Sequence, residues 1–405
     1  MSGLIEGFFD QLNNTDFKLW YSKFDPSVLQ EETIGVGSWA KKSKNVDDLA
    51  ERTFFLTSKH LYYKKRASDA RVRGVMDLKF VRVSFFEEEV LGGGGLVYRI
   101  KFTKNLKYAE ILSRDREVFL QWKELLRLLT VQTDFHQKFH VTKKIGKGAF
   151  ATVYLVQRIS DGEQFAVKAF SKAYVNSQDR GKEGLINEIE TLQRLDHPNI
   201  IKFEEVHESD NSIYLVMELL EGGEICSFNQ GKLDQEATHC ILKSILQALV
   251  HLDKEGIMHR DLKPDNIILK KLNCPISENT LKLVDFGLAS SCDVDEYLFR
   301  RCGTPGFVAP EVINSKREDG TRFTTKSDIF STGVIFFFML TGKIPFEGER
   351  FEEVIESNKK AVINFDIEEL HSVSSDAMSL LRLMLEVDPE KRLSAADCLR
   401  HKFFS

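Results

Sequence analysis

His259-Arg260-Asp261-Leu262-Lys263-Pro264-Asp265-Asn266 is the stretch on which the reading of this chain turns. It sets an aspartate, a lysine and an asparagine a few residues apart. Downstream come Asp285-Phe286-Gly287 and Ala309-Pro310-Glu311. Upstream lie Ile145-Gly146-Lys147-Gly148-Ala149-Phe150-Ala151-Thr152-Val153 and Phe165-Ala166-Val167-Lys168. Gly146 and Gly148 let a backbone approach phosphate oxygens with no Cβ in the way, and Val153 can roof a purine. Gly-rich hairpin turns are common, so this segment alone is a weak signal. Lys168, isolated in a strand-like run, suits the neutralisation of phosphates and needs a carboxylate to hold it there. Glu188, in the helical stretch Leu185–Leu195 before His197-Pro198-Asn199-Ile200, suits that role. Taken alone, a Lys/Glu pair at this separation reads rather as a surface salt bridge. Order and spacing turn these weak signals into a strong one.

With five motifs in one order, the chain resembles a eukaryotic protein kinase over residues 139–404. The resemblance implies an α+β, bilobal kinase fold that uses ATP and Mg²⁺. Phosphoryl transfer asks little covalent work of a protein but much positioning and charge neutralisation. By resemblance, Asp261 orients the substrate hydroxyl and accepts its proton, and Lys263 steadies the γ-phosphoryl group. Asn266 and Asp285 supply hard oxygen ligands for Mg²⁺. The nucleotide is received by Ile145 to Val153, Ala166 and Lys168, with Glu188 as the carboxylate that holds the lysine. Met217 backs the adenine pocket, Glu218 to Leu220 offer backbone hydrogen bonds, Ile268 forms the floor, and Glu224 lies nearby. His259 and Phe286 pack together. Glu311 pairs with Arg392 of Asp388-Pro389-Glu390-Lys391-Arg392, and Asp328 holds the catalytic-loop backbone.

Lys263 after Asp261, with Gly303-Thr304-Pro305, resembles Ser/Thr kinases. The run Met217–Ile225 with Gly222-Gly223-Glu224, the insertion Lys270–Thr280 and the ending Arg400-His401-Lys402-Phe403-Phe404 resemble the calcium/calmodulin-dependent kinase group. Glu224 with Asp265 would then bind a basic residue three positions before the target Ser/Thr of a protein substrate. No Asp-x-Asp-x-Asp-Gly loop with a distal Glu and no basic amphipathic tail is present, so neither a Ca²⁺ nor a calmodulin site is expected. The family's third loop glycine is Ala151 here. Arg300 stands where related kinases often carry a phosphorylatable Thr, which leaves Arg260 without the usual phosphate partner. Asp293, Asp295 and Glu296 are the carboxylates expected to substitute, giving activity without loop phosphorylation. Thr304 is expected to order Asp261 and Lys263.

Ahead of the kinase-like region, residues 31–130 read as short alternating strands: Glu51–Leu56, Leu61–Lys65, Gly74–Phe80, and Leu96–Phe102 after the turn Gly92–Gly95. An amphipathic helix, Arg114–Leu129, closes the region with Val118, Trp122, Leu125, Leu126 and Leu129 on its apolar face. Strands closed by one such helix resemble a pleckstrin-homology (PH) domain, a small β-barrel capped by a C-terminal helix. Lys41 or Lys42 and Arg52 fit the positions at which PH domains of the lipid-binding kind hold phosphoinositides, but Ala50 and Glu51 do not. Lys64, Lys65, Arg66, Arg71 and Arg73 add positive charge that suits an anionic lipid surface, or equally a solvated face on a protein-binding or structural domain. Residues 1–30 form an extension in which Leu4, Ile5, Phe8, Phe9 and Leu12 would give a short helix one apolar face, packed on the protein or offered to a membrane or partner. Val131–Lys138 reads as a short connection that keeps the two domains close.

The 405 residues, 42% hydrophobic and 29% charged, fit two or three globular domains and exclude a disordered or fibrous chain. The net charge of −5 gives no reason to expect nucleic acid. It is a sum of unlike parts: +6 over residues 31–130, −2 over residues 1–30 and −9 beyond. The longest apolar run, Val334–Leu340, is far short of the ~18 residues needed to span a bilayer. Neither a signal peptide nor Gly at position 2 for myristoylation is seen. The six cysteines show no CxxC pair and read as reduced thiols. The expectation is a cytoplasmic protein, with association to a membrane surface or the cytoskeleton left open. The leading reading is an active Ser/Thr protein kinase whose PH-like domain localises or regulates it. The alternative is a kinase-fold scaffold or docking module, which the presence of Lys168, Glu188, Asp261, Asn266 and Asp285 disfavours.

Overall fold

The computed structural model describes residues 6–10, 17–41, 50–89, 96–148, 150–227, 232–294, 296–316 and 322–405. It divides into two compact units, residues 1–175 with 203–217, and residues 176–202 with 218–405. Leu4, Ile5, Leu12, Lys42, Gly92–Gly95, Ala149 and Asp295 lie outside the described residues.

The first unit is organised by one sheet. Seven strands come first: β1 (Thr33–Lys41), β2 (Ala50–Thr57), β3 (His60–Lys64), β4 (Val72–Asp77), β5 (Arg82–Glu89), β6 (Leu96–Lys104) and β7 (Lys107–Ser113). Helix α1 (Arg116–Leu129) follows, with the Asp115 carboxylate accepting from the backbone N–H groups of Glu117 and Val118. Its buried face carries Phe119, Trp122 and Leu126, while Val118, Leu125 and Leu129 are half-buried at its margin. The helix lies across β1, where Gly35 and Gly37 leave room for it: a Cβ at 35 would stand 2.8 Å from Leu125 Cδ1, and one at 37 would stand 3.0 Å from Trp122 Nε1. Trp39 and Trp122, both fully buried, meet at 5.2 Å between ring centroids.

The strand order corrects the expectation of a closed barrel. It runs β4-β3-β2-β1-β7-β6-β5 and continues into further strands without closing on itself. The continuation is β8 (Val131–Gln132), β9 (Phe139–Lys147), β10 (Thr152–Arg158), β11 (Gln164–Ser171), β12 (Phe203–Glu208) and β13 (Ser212–Glu218). In space these follow β5 as β8-β12-β13-β11-β10-β9. The segment read as a connection therefore contains a strand. Val131 and Gln132 pair in parallel with Arg82 and Val83 of β5 on one edge, and with Val206 and His207 of β12 on the other. Two residues are too few for hydrophobic periodicity to reveal, yet both are almost fully buried.

All six residues of β12, Phe-Glu-Glu-Val-His-Glu, are buried. Ionisable groups are tolerated there because each has a counterpart. Arg127 of α1 reaches Glu204 at 2.9 Å, and Lys138, on the short helix α2 (Phe135–Lys138), reaches Glu205 at 2.7 Å. Glu208 accepts from the Phe8 N–H at 2.6 Å and from Lys172 Nζ at 2.7 Å. Asp10 in turn holds Arg82 and the Asn105 N–H, and Phe9 stacks on Phe80 at 4.5 Å. Phe8 and Phe9 thus sit in a buried turn, which replaces the helical reading at these two residues.

His207, fully buried, stands 3.4 Å from Asp134 and 3.3 Å from Glu205, against the rings of Phe135 and Phe139. Burial alone lowers its pKa, but the two carboxylates outweigh that and raise it; burial raises theirs, and His207 and Lys138 bring both below the usual range. A histidine with a raised folded pKa contributes stability below its unfolded pKa of about 6.5 and loses it as pH rises through the folded value. Urea unfolding of the full chain should therefore show a midpoint that falls as pH increases above neutrality. His207→Gln should flatten that slope while lowering the midpoint at slightly acid pH. Equal slopes in the two proteins would disprove the assignment.

The second unit is mainly helical: α4 (Gly181–Arg194), α5 (Gln235–Lys254), α6 (Pro310–Ile313), α7 (Lys326–Thr341), α8 (Phe351–Lys360), α9 (Ser375–Met384) and α10 (Ala395–Leu399). The short helix α3 (Lys172–Ser177) lies at the division between the units. Almost the whole of α7 is buried, so its run Val334–Leu340 is a core helix. Among the described residues no helix is long and apolar enough to cross a membrane.

Candidate active site

Strand register in the first unit brings three expected residues into one row. Val153 pairs with Gly146 on one side and with Lys168 on the other, and Leu155 pairs with Ala166. The hairpin between β9 and β10 is closed by the Gly148 N–H donating to Ala151 O at 2.9 Å. Ala151 is nearly buried, whereas Ile145 and Phe150 are exposed. Lys147 pairs with Thr152. Met217 ends the part of β13 that belongs to this unit, opposite Phe203.

The stretch from His259 to Asn266 lies in the second unit. Asp328, fully buried on α7, accepts from the His259 N–H at 2.7 Å and the Arg260 N–H at 2.9 Å. Burial raises its pKa against the pull of His259, Arg260 and these amides. The loop it anchors has Arg260 in the left-handed region, at φ 69°. His259 Nε2 contacts Val284 O at 3.0 Å, and its ring lies 4.7 Å from that of Phe286.

Three side chains converge on Asp261. Thr304 Oγ1 donates to Asp261 Oδ1 at 2.7 Å and accepts from Lys263 Nζ at 3.1 Å. Lys263 Nζ is also 3.5 Å from Asp261 Oδ2. Asn266 Nδ2 donates to Asp261 O at 2.8 Å and to Asp261 Oδ2 at 3.2 Å. With its amide nitrogen so committed, Asn266 keeps Oδ1 for a cation.

Asp285 adopts φ 61° and is exposed. Next to it, a Cβ at Gly287 would stand 3.4 Å from Asp285 Oδ1 and 3.5 Å from Oε2 of buried Glu188, so glycine keeps these carboxylates clear of a side chain. Among the described residues no group of three or more His, Cys, Asp and Glu is placed to hold a metal. The carboxylate of Asp285 and the amide oxygen of Asn266 are hard oxygen donors of the kind that would suit Mg²⁺.

Glu218 donates its N–H to Lys202 O at 3.0 Å. Its carboxylate is held by Lys282 at 2.6 Å and Lys270 at 3.0 Å; burial raises its pKa, but these lysines and the Lys202 amide bring it below the usual range. Lys282 and Lys270 carry no motif and were not legible as partners. Ile268, on β15 (Ile267–Leu269), pairs with Lys282 of β16 (Leu281–Leu283) and bridges to Glu224. Glu311 and Arg392 form a two-pronged pair at 2.7 and 3.0 Å.

Arg260 has partners that the sequence did not announce. The guanidinium donates to the main-chain carbonyls of Phe299 and Arg300, and lies 4.9 Å from the Tyr297 ring centroid. Carbonyls at a tight turn come within the reach of one guanidinium fork, which spares the cost of ordering a flexible carboxylate.

A lysine, an asparagine and a threonine gathered on or beside Asp261 agree with the sequence match, which decides the family. The Protein kinase domain family matches residues 139–404. The chain belongs to the protein kinase family. It is 35% identical over 276 residues to the serine/threonine-protein kinase cds1 of Schizosaccharomyces pombe, covering 66% of this chain and 58% of that protein. It is 36% identical over 265 residues to a probable myosin light chain kinase of Dictyostelium discoideum, covering 65% of this chain and 82% of that one. A third relative, the probable serine/threonine-protein kinase fhkC of Dictyostelium discoideum, is 29% identical over 93% of this chain and 62% of its own length. The chain carries a Ser/Thr protein kinase domain. It spans less than two thirds of the length of the first and third of these relatives.

Proposed function

We propose that the protein transfers the γ-phosphoryl group of ATP, with Mg²⁺, to Ser/Thr hydroxyls of protein substrates. The observation that carries this reading is the cluster of Asp261, Lys263, Asn266 and Thr304, a set that a scaffold has no need to keep. In it Asp261 orients the acceptor hydroxyl and takes its proton, and Lys263 balances the charge of the transferring group. Asn266 Oδ1 and the Asp285 carboxylate would hold Mg²⁺, which would supply positive charge to neutralise the phosphates. Lys168, with Glu188 as its carboxylate, serves the α- and β-phosphates. The residues Ile145 to Val153, Ala166, Met217, Glu218, Leu220, Glu224 and Ile268 serve the nucleotide.

We place the domain in the calcium/calmodulin-dependent kinase group, supported by its glycine pair Gly222-Gly223, its insertion after β15 and a relative named as a myosin light chain kinase. Glu224 and Asp265, both exposed carboxylates, favour substrates with Arg three residues before the target. Seven strands followed by α1 support reading the N-terminal region as PH-like, and its proposed role is structural or regulatory support of the kinase strands, carried by β8. Capture of an anionic lipid is the weaker reading, because Lys41 is engaged with Tyr63 OH at 2.8 Å and lies over the Trp20 and Tyr63 rings. A cytoplasmic setting suits the thiols: burial pushes Cys292 and Cys302 up to about 11 and Cys398 to about 12, so they stay protonated.

The test is phosphoryl transfer from labelled Mg-ATP to a peptide with Arg three before Ser, by the full chain and by Asp285→Asn. Transfer by the first and not the second is expected, with at least tenfold weaker labelling when that Arg is Ala. Equal background from both proteins would favour a scaffold.

A further inference from the structure

Three consecutive main-chain carbonyls in the activation segment are held by two arginines from different elements. Arg180 Nη1 donates to Leu298 O at 2.8 Å, and Arg260 Nη2 donates to Phe299 O and to Arg300 O. Arg180 stands at the entry to α4 with φ 54°, a left-handed conformation that costs a non-glycine residue about 1 kcal/mol or more. Its side chain does not cap the helix.

The same helix face repeats the contact further on. Gly184 lies against Phe299, where a Cβ would stand 3.5 Å from the ring, and Asn187 Nδ2 donates to Ala289 O at 2.7 Å. Positions 180, 184 and 187 follow helical spacing, and Glu188 is the next residue around the helix. Within the segment, Tyr297 is buried and stacks on Phe323 at 4.9 Å, and its hydroxyl accepts from the Phe323 N–H at 2.7 Å. No contact in this set requires a phosphate.

We propose that Arg180 is a positioning residue for phosphoryl transfer: with Arg260 it clamps the activation segment by its main chain and thereby fixes the rotation of α4 that presents Glu188. The clamp makes the segment's working position independent of phosphorylation. This rests on the kinase reading above for its catalytic consequence, but not for its structural one.

The full chain is treated with phosphatase and compared with Arg180→Ala, Arg180→Lys and Asn187→Ala. Two readouts are taken: steady-state transfer to the peptide, and the rate of proteolytic cleavage between residues 290 and 301. The treated wild type should keep its activity. Arg180→Ala should lose about tenfold in kcat, with little change in the peptide KM and an unchanged unfolding midpoint, and should be cleaved faster. Arg180→Lys, which can still donate one bond to Leu298 O, should recover part of both, and Asn187→Ala should shift both in the same direction as Arg180→Ala. Loss of wild-type activity on phosphatase treatment, or Arg180→Ala with normal kcat and normal cleavage, would overturn the proposal. If no chain transfers phosphate, the kinase reading fails, and the clamp is judged by cleavage alone.

Discussion

A chain that begins at Phe139 should not hold a stable first unit. It would keep every kinase motif, yet it lacks Val131 and Gln132, which pair with β12, and Phe135, which stacks on Tyr214 at 3.9 Å. Deleting a buried Phe side chain alone costs about 3–5 kcal/mol, and a domain's whole margin is about 5–15 kcal/mol. The shortened chain would also leave Glu204 without Arg127, Glu205 without Lys138 and His207 without Asp134. Expression of residues 139–405 beside the full chain should give aggregated or loosely packed protein, by solubility and by urea unfolding. A soluble fragment that unfolds cooperatively at the full-length midpoint would refute this. Phe135→Ala in the full chain provides the graded version and should lower the midpoint without removing a domain.

The largest single-residue effect is expected at Arg392. All five of its donor positions are used: Glu311 takes two, and Lys326 O, Glu386 O and Val387 O take the rest at 2.8, 2.7 and 3.2 Å. The side chain is fully buried and also lies over Phe330. Arg392→Ala leaves a mostly buried carboxylate and three carbonyls unmet, a loss of about 3–5 kcal/mol. Arg392→Lys keeps the charge but not the fork, and should recover only a minor part. Urea unfolding of the three proteins measures this. A change below about 1 kcal/mol for Arg392→Ala would mean that the pair behaves as an exposed one.

Much of the kinase half was legible because its chemistry demands particular residue types in a fixed order. Glu311 with Arg392, Asp328 under the catalytic loop, and His259 against Phe286 are found as pairs in the structure. The N-terminal strands that alternate well, such as Glu51–Leu56 and Leu96–Phe102, lie within β2 and β6, and the closing helix begins at Arg116, two residues after its expected start. What failed to show was of two kinds. β8 is too short to have a period. β12 has a composition that reads as solvent-exposed, since three Glu and a His look like a loop until their partners from distant parts of the chain are known. The partners of Arg260 escaped for a similar reason: main-chain carbonyls leave no mark in a sequence, whereas the carboxylates expected to replace a phosphate do.

The pairing of β8 also has a bearing on how the chain is made. Val131 and Gln132 leave the ribosome well before Phe203–Glu208, so in the nascent chain one side of this strand has hydrogen-bonding groups and no neighbour. The earlier strands can assemble while that edge waits, and the kinase strands then add to an existing template in place of nucleating alone. A delay between residues 132 and 208 would lengthen the exposure of that edge, and with it the time during which a second nascent chain can pair there.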